Sequence, residues 1–126
     1  MVLGESPVVA VVAVKDMAAA KEFYGGTLGL RESDVTDPGG VLYQSDGTQL
    51  LVYESSYAGT NQATAVSWHV TEIEQEVASL KDRGVAFEHY DLPGATREGD
   101  IHLIGPMKGA WFKDPEGNIL NLVSRA

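Results

Sequence analysis

The chain has 126 residues, 44% hydrophobic and 21% charged, which fits one folded domain and excludes a disordered segment. It contains no cysteine, so a disulfide framework, a thiolate nucleophile and a Cys-ligated metal centre are excluded, and a cytoplasmic location is expected. Asp and Glu number 18 against 9 Lys and Arg, a net charge of −9 that repels phosphates, so DNA and RNA are not expected partners. The longest apolar run, Val8 to Val14, falls far short of the roughly 20 residues that span a bilayer, and no basic stretch precedes it. Neither a membrane span nor a signal peptide is expected.

In chain order the predicted elements form two echoing halves. Val9 to Val14 is a strand, and Asp16 can cap a helix in which Met17, Ala20 and Tyr24 share a face until Gly25-Gly26 breaks the pattern. Leu30 to Ser33 and Val41 to Tyr43 are strands, and Asp46-Gly47-Thr48-Gln49 turns into the strand Leu50 to Tyr53. The second half opens with the strand Ala65 to Val70. Thr71 and Glu74 form a Thr-x-x-Glu capping box for a helix with Ile73, Val77 and Leu80 on one face and Gly84 as its stop. Val85 to Tyr90 is a strand. Gly99, Gly105, Pro106 and Gly109 punctuate a predicted loop from Gly99 to Lys108 that could cover a cleft. Ala110 to Phe112 is a strand, Asp114-Pro115-Glu116-Gly117 carries a type I turn signature, and Asn118 to Val123 is the last strand.

Val9 aligns with Ala65 and Asp16 with Glu72 at an offset of 56, and Gly47 aligns with Gly117 at an offset of 70. Each half reads β-α-β-β-β. The fold class is therefore α+β: one domain of two βαβββ modules, about 7–55 and 63–125, with a helix on one face of each curved mixed sheet and the other faces around a cleft. No phosphate-binding glycine loop and no serine nucleophile elbow is present.

The duplicated frame, the stretch Asp16…Phe23-Tyr24…Leu28-Gly29-Leu30 and the stretch Trp111 to Asn118 resemble the vicinal oxygen chelate superfamily of glyoxalase I, extradiol dioxygenases, fosfomycin resistance enzymes and bleomycin resistance proteins. The resemblance covers roughly Val8 to Val123. It implies that metal enzymes of this group take their ligands from the first and last strand of each module. Those positions fall at Val9, Leu51, Ala65 and Asn121, and none is His, Asp or Glu. No metal and no cofactor is expected. The resemblance also implies a homodimer, as in bleomycin resistance proteins.

If Ala65 faces the cleft, strand alternation sends Ser67 and His69 to the same side and Val66, Trp68 and Val70 to the helix. The predicted lining is Val9, Val11, Leu51, Tyr53, Ala65, Ser67, His69 and Asn121, joined by Ala13 and Val123. Such a lining suits a largely apolar or aromatic organic ligand. His69 is the candidate for proton transfer, against a plain strand histidine; His89, on a strand, and His102, in the loop, are weaker candidates. Trp68, Trp111 and Phe112 are expected in the core. The functional reading is a metal-free small-molecule-binding protein. The alternative is an enzyme: a metal-dependent lyase or dioxygenase with ligands elsewhere, or a metal-independent isomerase using His69.

Overall fold

The computed structural model describes residues 3–35 and 37–125. The chain divides into two compact units, one ending at Thr60 and the other beginning at Asn61. After a short 3-10 turn, Leu3–Glu5, the first unit runs β1 (Ala10–Val14), α1 (Met17–Lys21), β2 (Arg31–Glu32), β3 (Gly40–Ser45) and β4 (Thr48–Glu54). Its sheet has the order β1-β4-β3-β2, with β1 parallel to β4. The second unit runs β5 (Thr64–His69), α2 (Ile73–Asp82), β6 (Phe87–Glu88), β7 (Thr96–Glu98), β8 (Ile101–Ile104), β9 (Met107–Lys113) and β10 (Ile119–Arg125). The sheet order there is β5-β10-β9-β8-β7, with β5 parallel to β10 and β6 pairing β9 beside β8.

The internal repeat appears in the ladders. Ala10 pairs Leu50 in the first sheet and Val66 pairs Leu120 in the second, so the offsets of 56 and 70 found in the sequence carry one strand pairing onto the other. The register slips once, between Ile119 and Leu120, and leaves Ala65 out of the ladder.

Alternation decides which side chains are buried. In the first unit Val12, Val14, Tyr43, Leu50 and Val52 form the sheet's share of the core, with Ala20 and Tyr24 from the helical segment. In the second, Val66, Ala110, Phe112, Leu120 and Leu122 do so with Ile73, Val77 and Leu80 of α2. Trp68 belongs to this side and stacks on Phe112, with ring centroids 6.5 Å apart.

Four expectations are corrected. Gly25-Gly26 does not end the first helix: α1 widens into a π-turn over Glu22–Thr27 that contains both glycines. The stop comes at Gly29, with φ 76°, a backbone state that costs glycine little. The Thr71–Glu74 capping box does not form. Glu72 is the N-cap without a side-chain bond, and the Glu74 carboxylate instead accepts from Lys108 Nζ at 2.7 Å, a partner far away in sequence. The stretch from Gly99 to Lys108 is not a loop but a hairpin, because Gly105-Pro106 is only the tight turn between β8 and β9. The second unit consequently has six strands rather than four. Trp111, finally, does not join the core.

The turn Asp114 to Gly117 forms as expected. The Gly117 N–H donates to the Asp114 carbonyl, and Asp114 Oδ1 accepts from the backbone N–H of both Glu116 and Asn118.

Because Phe112 is fully buried, Phe112→Ala should cost about 3–5 kcal/mol of unfolding free energy. Val11→Ala, at a residue 51% exposed on the opposite face of the first sheet, should stay within about 0.5 kcal/mol. Urea denaturation of the two variants checks this, and similar losses would mean that the faces are misassigned.

Candidate functional site

The family's metal positions offer no ion a home. Val9 lies just ahead of β1, Leu51 is half-buried on β4, Ala65 sits at the register break, and Asn121 is a neutral amide on β10. Among the described residues no three His, Asp or Glu side chains are grouped to hold a metal ion. Two apolar side chains, a methyl group and one amide oxygen cannot replace the hydration shell of a divalent cation. The donor set does not fit a metal.

The predicted lining divides between the two units. On the first sheet's far face, the side turned from α1, Val11 and Tyr53 are exposed, at 51% and 36%. Val9 borders a groove of about 500 Å³ at the β3–β4 turn, with Pro7, Val8, Gln44, Gly47, Thr48 and Gln49. On the second sheet, Ser67 pairs Asn121 and His69 pairs Val123, so these four share its far face. Ser67 and His69 are exposed on the edge strand β5, and no carboxylate among the described residues is bonded to the His69 ring. Asn121 is only 5% exposed.

What covers Asn121 is Trp111, its cross-strand partner on β9. The indole Nε1–H donates to Thr64 Oγ1 on β5 at 3.0 Å. The opposite edge of the ring lies over Gly109, where an added Cβ would stand 3.1 Å from Cη2 and 3.2 Å from Cζ3. Gly109 is level with Val123 and Thr64 with Ile119, so a ring reaching from one to the other crosses β10 at Asn121. An indole can lie down on the sheet here because position 109 has no side chain.

Two more aromatic groups close around it. The His102 ring on β8, 1% exposed, meets the Trp111 ring edge to face with centroids 4.9 Å apart. The Tyr90 ring meets Trp111 at 5.7 Å and His102 at 6.2 Å. The backbone N–H of Tyr90 donates to His102 Nε2 at 3.0 Å. Nε2 therefore keeps its lone pair, and the proton of the neutral imidazole sits on Nδ1. Burial first, and then the charge of Glu88, pushes the Tyr90 phenol above its ordinary range, so it stays an O–H group. Three buried polar atoms in this cluster have no hydrogen-bond partner: His102 Nδ1, Tyr90 Oη and Asn121 Oδ1. Buried polar groups are normally paired, since each unpaired one costs about 1–3 kcal/mol. Concentrated on one face around one indole, they mark this as the candidate site.

Of the predicted lining the structure brings only Asn121 into this cluster, and His102, a weaker candidate expected in a loop, joins it from β8. Tyr90 and Trp111 were missed. A glycine two positions before a tryptophan on one strand face, Gly109-x-Trp111, is the signal that could have found them. His89 belongs to a separate surface cluster. Its Nε2 lies 2.7 Å from Asp100 Oδ1, and Lys81 Nζ donates to Asp100 Oδ2 at 2.7 Å. The hydrogen bond from Lys81, and then that from His89, holds the Asp100 carboxyl below the usual carboxylate range. Asp100 Oδ2 thus fastens the β7–β8 turn to α2, and Oδ1 fastens it to the segment after β6.

Two β-α-β units, each with a parallel first and last strand, define the α+β fold class expected from the sequence. Residues 7–122 match the model of the Glyoxalase/Bleomycin resistance protein/Dioxygenase superfamily, and the chain belongs to that superfamily. Similar solved structures include TnmS3, an antibiotic binding protein from Streptomyces sp. CB03234, at 21% identity, 97% coverage of both chains and a TM-score of 0.68. The lactoylglutathione lyase of Agrobacterium tumefaciens shares 15% identity, with 95% of this chain and 93% of that one covered and a TM-score of 0.68. The fosfomycin resistance protein FosX of Listeria monocytogenes shares 15%, with 100% and 96% covered and a TM-score of 0.69. At these identities the likeness is one of fold. No curated protein matches the sequence.

Gly109→Ala puts a methyl group 3.1–3.2 Å from the indole edge, so the Trp111 ring must shift by a few tenths of an ångström. The indole Nε1–H resonance of Trp111 should shift in the amide-proton NMR spectrum, with a stability loss of about 1–3 kcal/mol from overpacking. An unchanged Trp111 resonance would show that the ring does not rest on position 109.

Proposed function

We propose that this chain is a metal-free small-molecule-binding protein whose ligand is a largely apolar or aromatic organic molecule. The observation that carries the reading is the second sheet's far face, where an indole laid over the sheet adjoins three buried, unpartnered polar atoms. Ligand sites are mostly apolar surfaces with a few convergent polar groups, and this cluster has that composition. The absence of ionisable side chains at Val9, Leu51, Ala65 and Asn121 supports a site that works without a metal. The fold shared with an antibiotic binding protein is a precedent for small-molecule binding. No helix among the described residues is long and apolar enough to cross a membrane. We place the protein in the cytoplasm as a homodimer, a state that would also cover exposed apolar residues such as Val11 and Tyr53.

The test uses chelator-treated protein. Uncharged aromatic compounds of one to three rings are screened by NMR, then Zn²⁺, Ni²⁺, Mn²⁺ and Fe²⁺ are added in turn and elemental analysis follows dialysis. The expected outcome is binding that perturbs the Trp111 indole and is indifferent to every ion, with no ion retained in stoichiometric amount. Retention of one ion per chain, or binding that requires one, would contradict the proposal.

A further inference from the structure

Three polar atoms without partners do more than mark a site, because each has a defined sense. His102 Nδ1 carries a proton, since Nε2 accepts from the Tyr90 N–H, so it can only donate. Asn121 Oδ1 can only accept. The Tyr90 hydroxyl can do either.

Position adds a second constraint. His102 is on β8 and Asn121 on β10, with β9 between them. Two inter-strand spacings across the sheet and two residues along it separate their backbones, about 12 Å. The donor and the acceptor therefore stand on opposite sides of the strand that carries Trp111, and a single ligand atom cannot serve both.

We infer that the site selects an uncharged planar molecule with a hydrogen-bond acceptor on one edge and a donor on the opposite edge, the acceptor taking the His102 Nδ1 proton and the donor reaching Asn121 Oδ1. The inference rests on the binding reading above and narrows its ligand class. The ligand enters by displacing the indole from Asn121. One hydrogen bond, to the exposed Thr64, holds that side chain down at its Nε1 end. Carboxylates and ammonium groups are disfavoured because burial of an unpaired ion is costly, and the carboxylate beside the cluster, Glu88, already has Lys113 Nζ at 3.8 Å. A wholly apolar ligand leaves all three atoms unpaired and gains only stacking.

The test uses the full-length protein, labelled with ¹⁵N, and three probes of one two-ring outline. Naphthalene has neither group, quinoline has an acceptor alone, and 4-quinolone has a carbonyl acceptor opposite a ring N–H donor. Dissociation constants come from NMR titration. 4-Quinolone should bind about tenfold or more tightly than naphthalene, with quinoline in between, since each satisfied buried group removes a desolvation penalty. Asn121→Leu, close in shape, should abolish the advantage of 4-quinolone over quinoline and leave naphthalene unaffected.

Equal affinities for the three probes would overturn the inference while leaving aromatic binding standing. So would quinoline matching 4-quinolone, or an advantage that survives Asn121→Leu. If no probe perturbs the Trp111 or His102 resonances, the inference fails together with the binding reading beneath it.

Discussion

A missing side chain organises the second unit. Because Gly109 presents only its backbone, the Trp111 ring can lie across β10 to reach Thr64 instead of standing away from the sheet. From that posture follow the burial of Asn121, on a face where the edge residues Ser67 and His69 remain exposed, and the packing of His102 and Tyr90 against the indole. A Cβ at position 109 would press on the edge of the indole at 3.1–3.2 Å and displace the ring by a few tenths of an ångström.

The cluster also shows how burial and polarity are balanced. Leaving three polar atoms unpaired is unfavourable, and a core built only for stability would have replaced them with apolar groups of the same shape. Phe112 and Leu120, adjacent along the same strands, are apolar and fully buried on the opposite face. The two faces of β9 and β10 differ: one is apolar and closely packed, the other adjoins polar atoms left unpaired in a defined donor and acceptor pattern. Superfamily membership supplies the scaffold, while Val9, Leu51, Ala65 and Asn121 stand where the resemblance expects metal ligands.

The duplication was legible because it lies in repeated residue types. The offsets of 56 and 70 reproduce the ladder pairings of both sheets, and alternation from Ala65 correctly sends Trp68 towards Phe112 and His69 to the other side. Local signals failed where tertiary partners decided. Glu74 was read as a capping residue, but Lys108 on a distant strand takes its carboxylate. Gly25-Gly26 read as a helix end, yet a π-turn accommodates both. Gly99, Gly105 and Pro106 read as one loop, because a four-residue strand between tight turns has too little pattern to stand out. His102, a weaker candidate when expected in a loop, lies on that strand with its ring buried. Trp111 was assigned to the core since large aromatics usually belong there, and nothing in one dimension shows a ring lying across a neighbouring strand.

The donor and acceptor pattern of the site depends most on the protonation of His102. If the Tyr90 N–H donates to Nε2, the imidazole of the ligand-free protein must carry its proton on Nδ1. Two-bond ¹H–¹⁵N correlation NMR of the histidine ring distinguishes the tautomers directly. The account predicts a neutral His102 with a protonated Nδ1 and a bare Nε2. A ring protonated on Nε2, or on both nitrogens at neutral pH, would remove the donor on which the site is built and contradict the account.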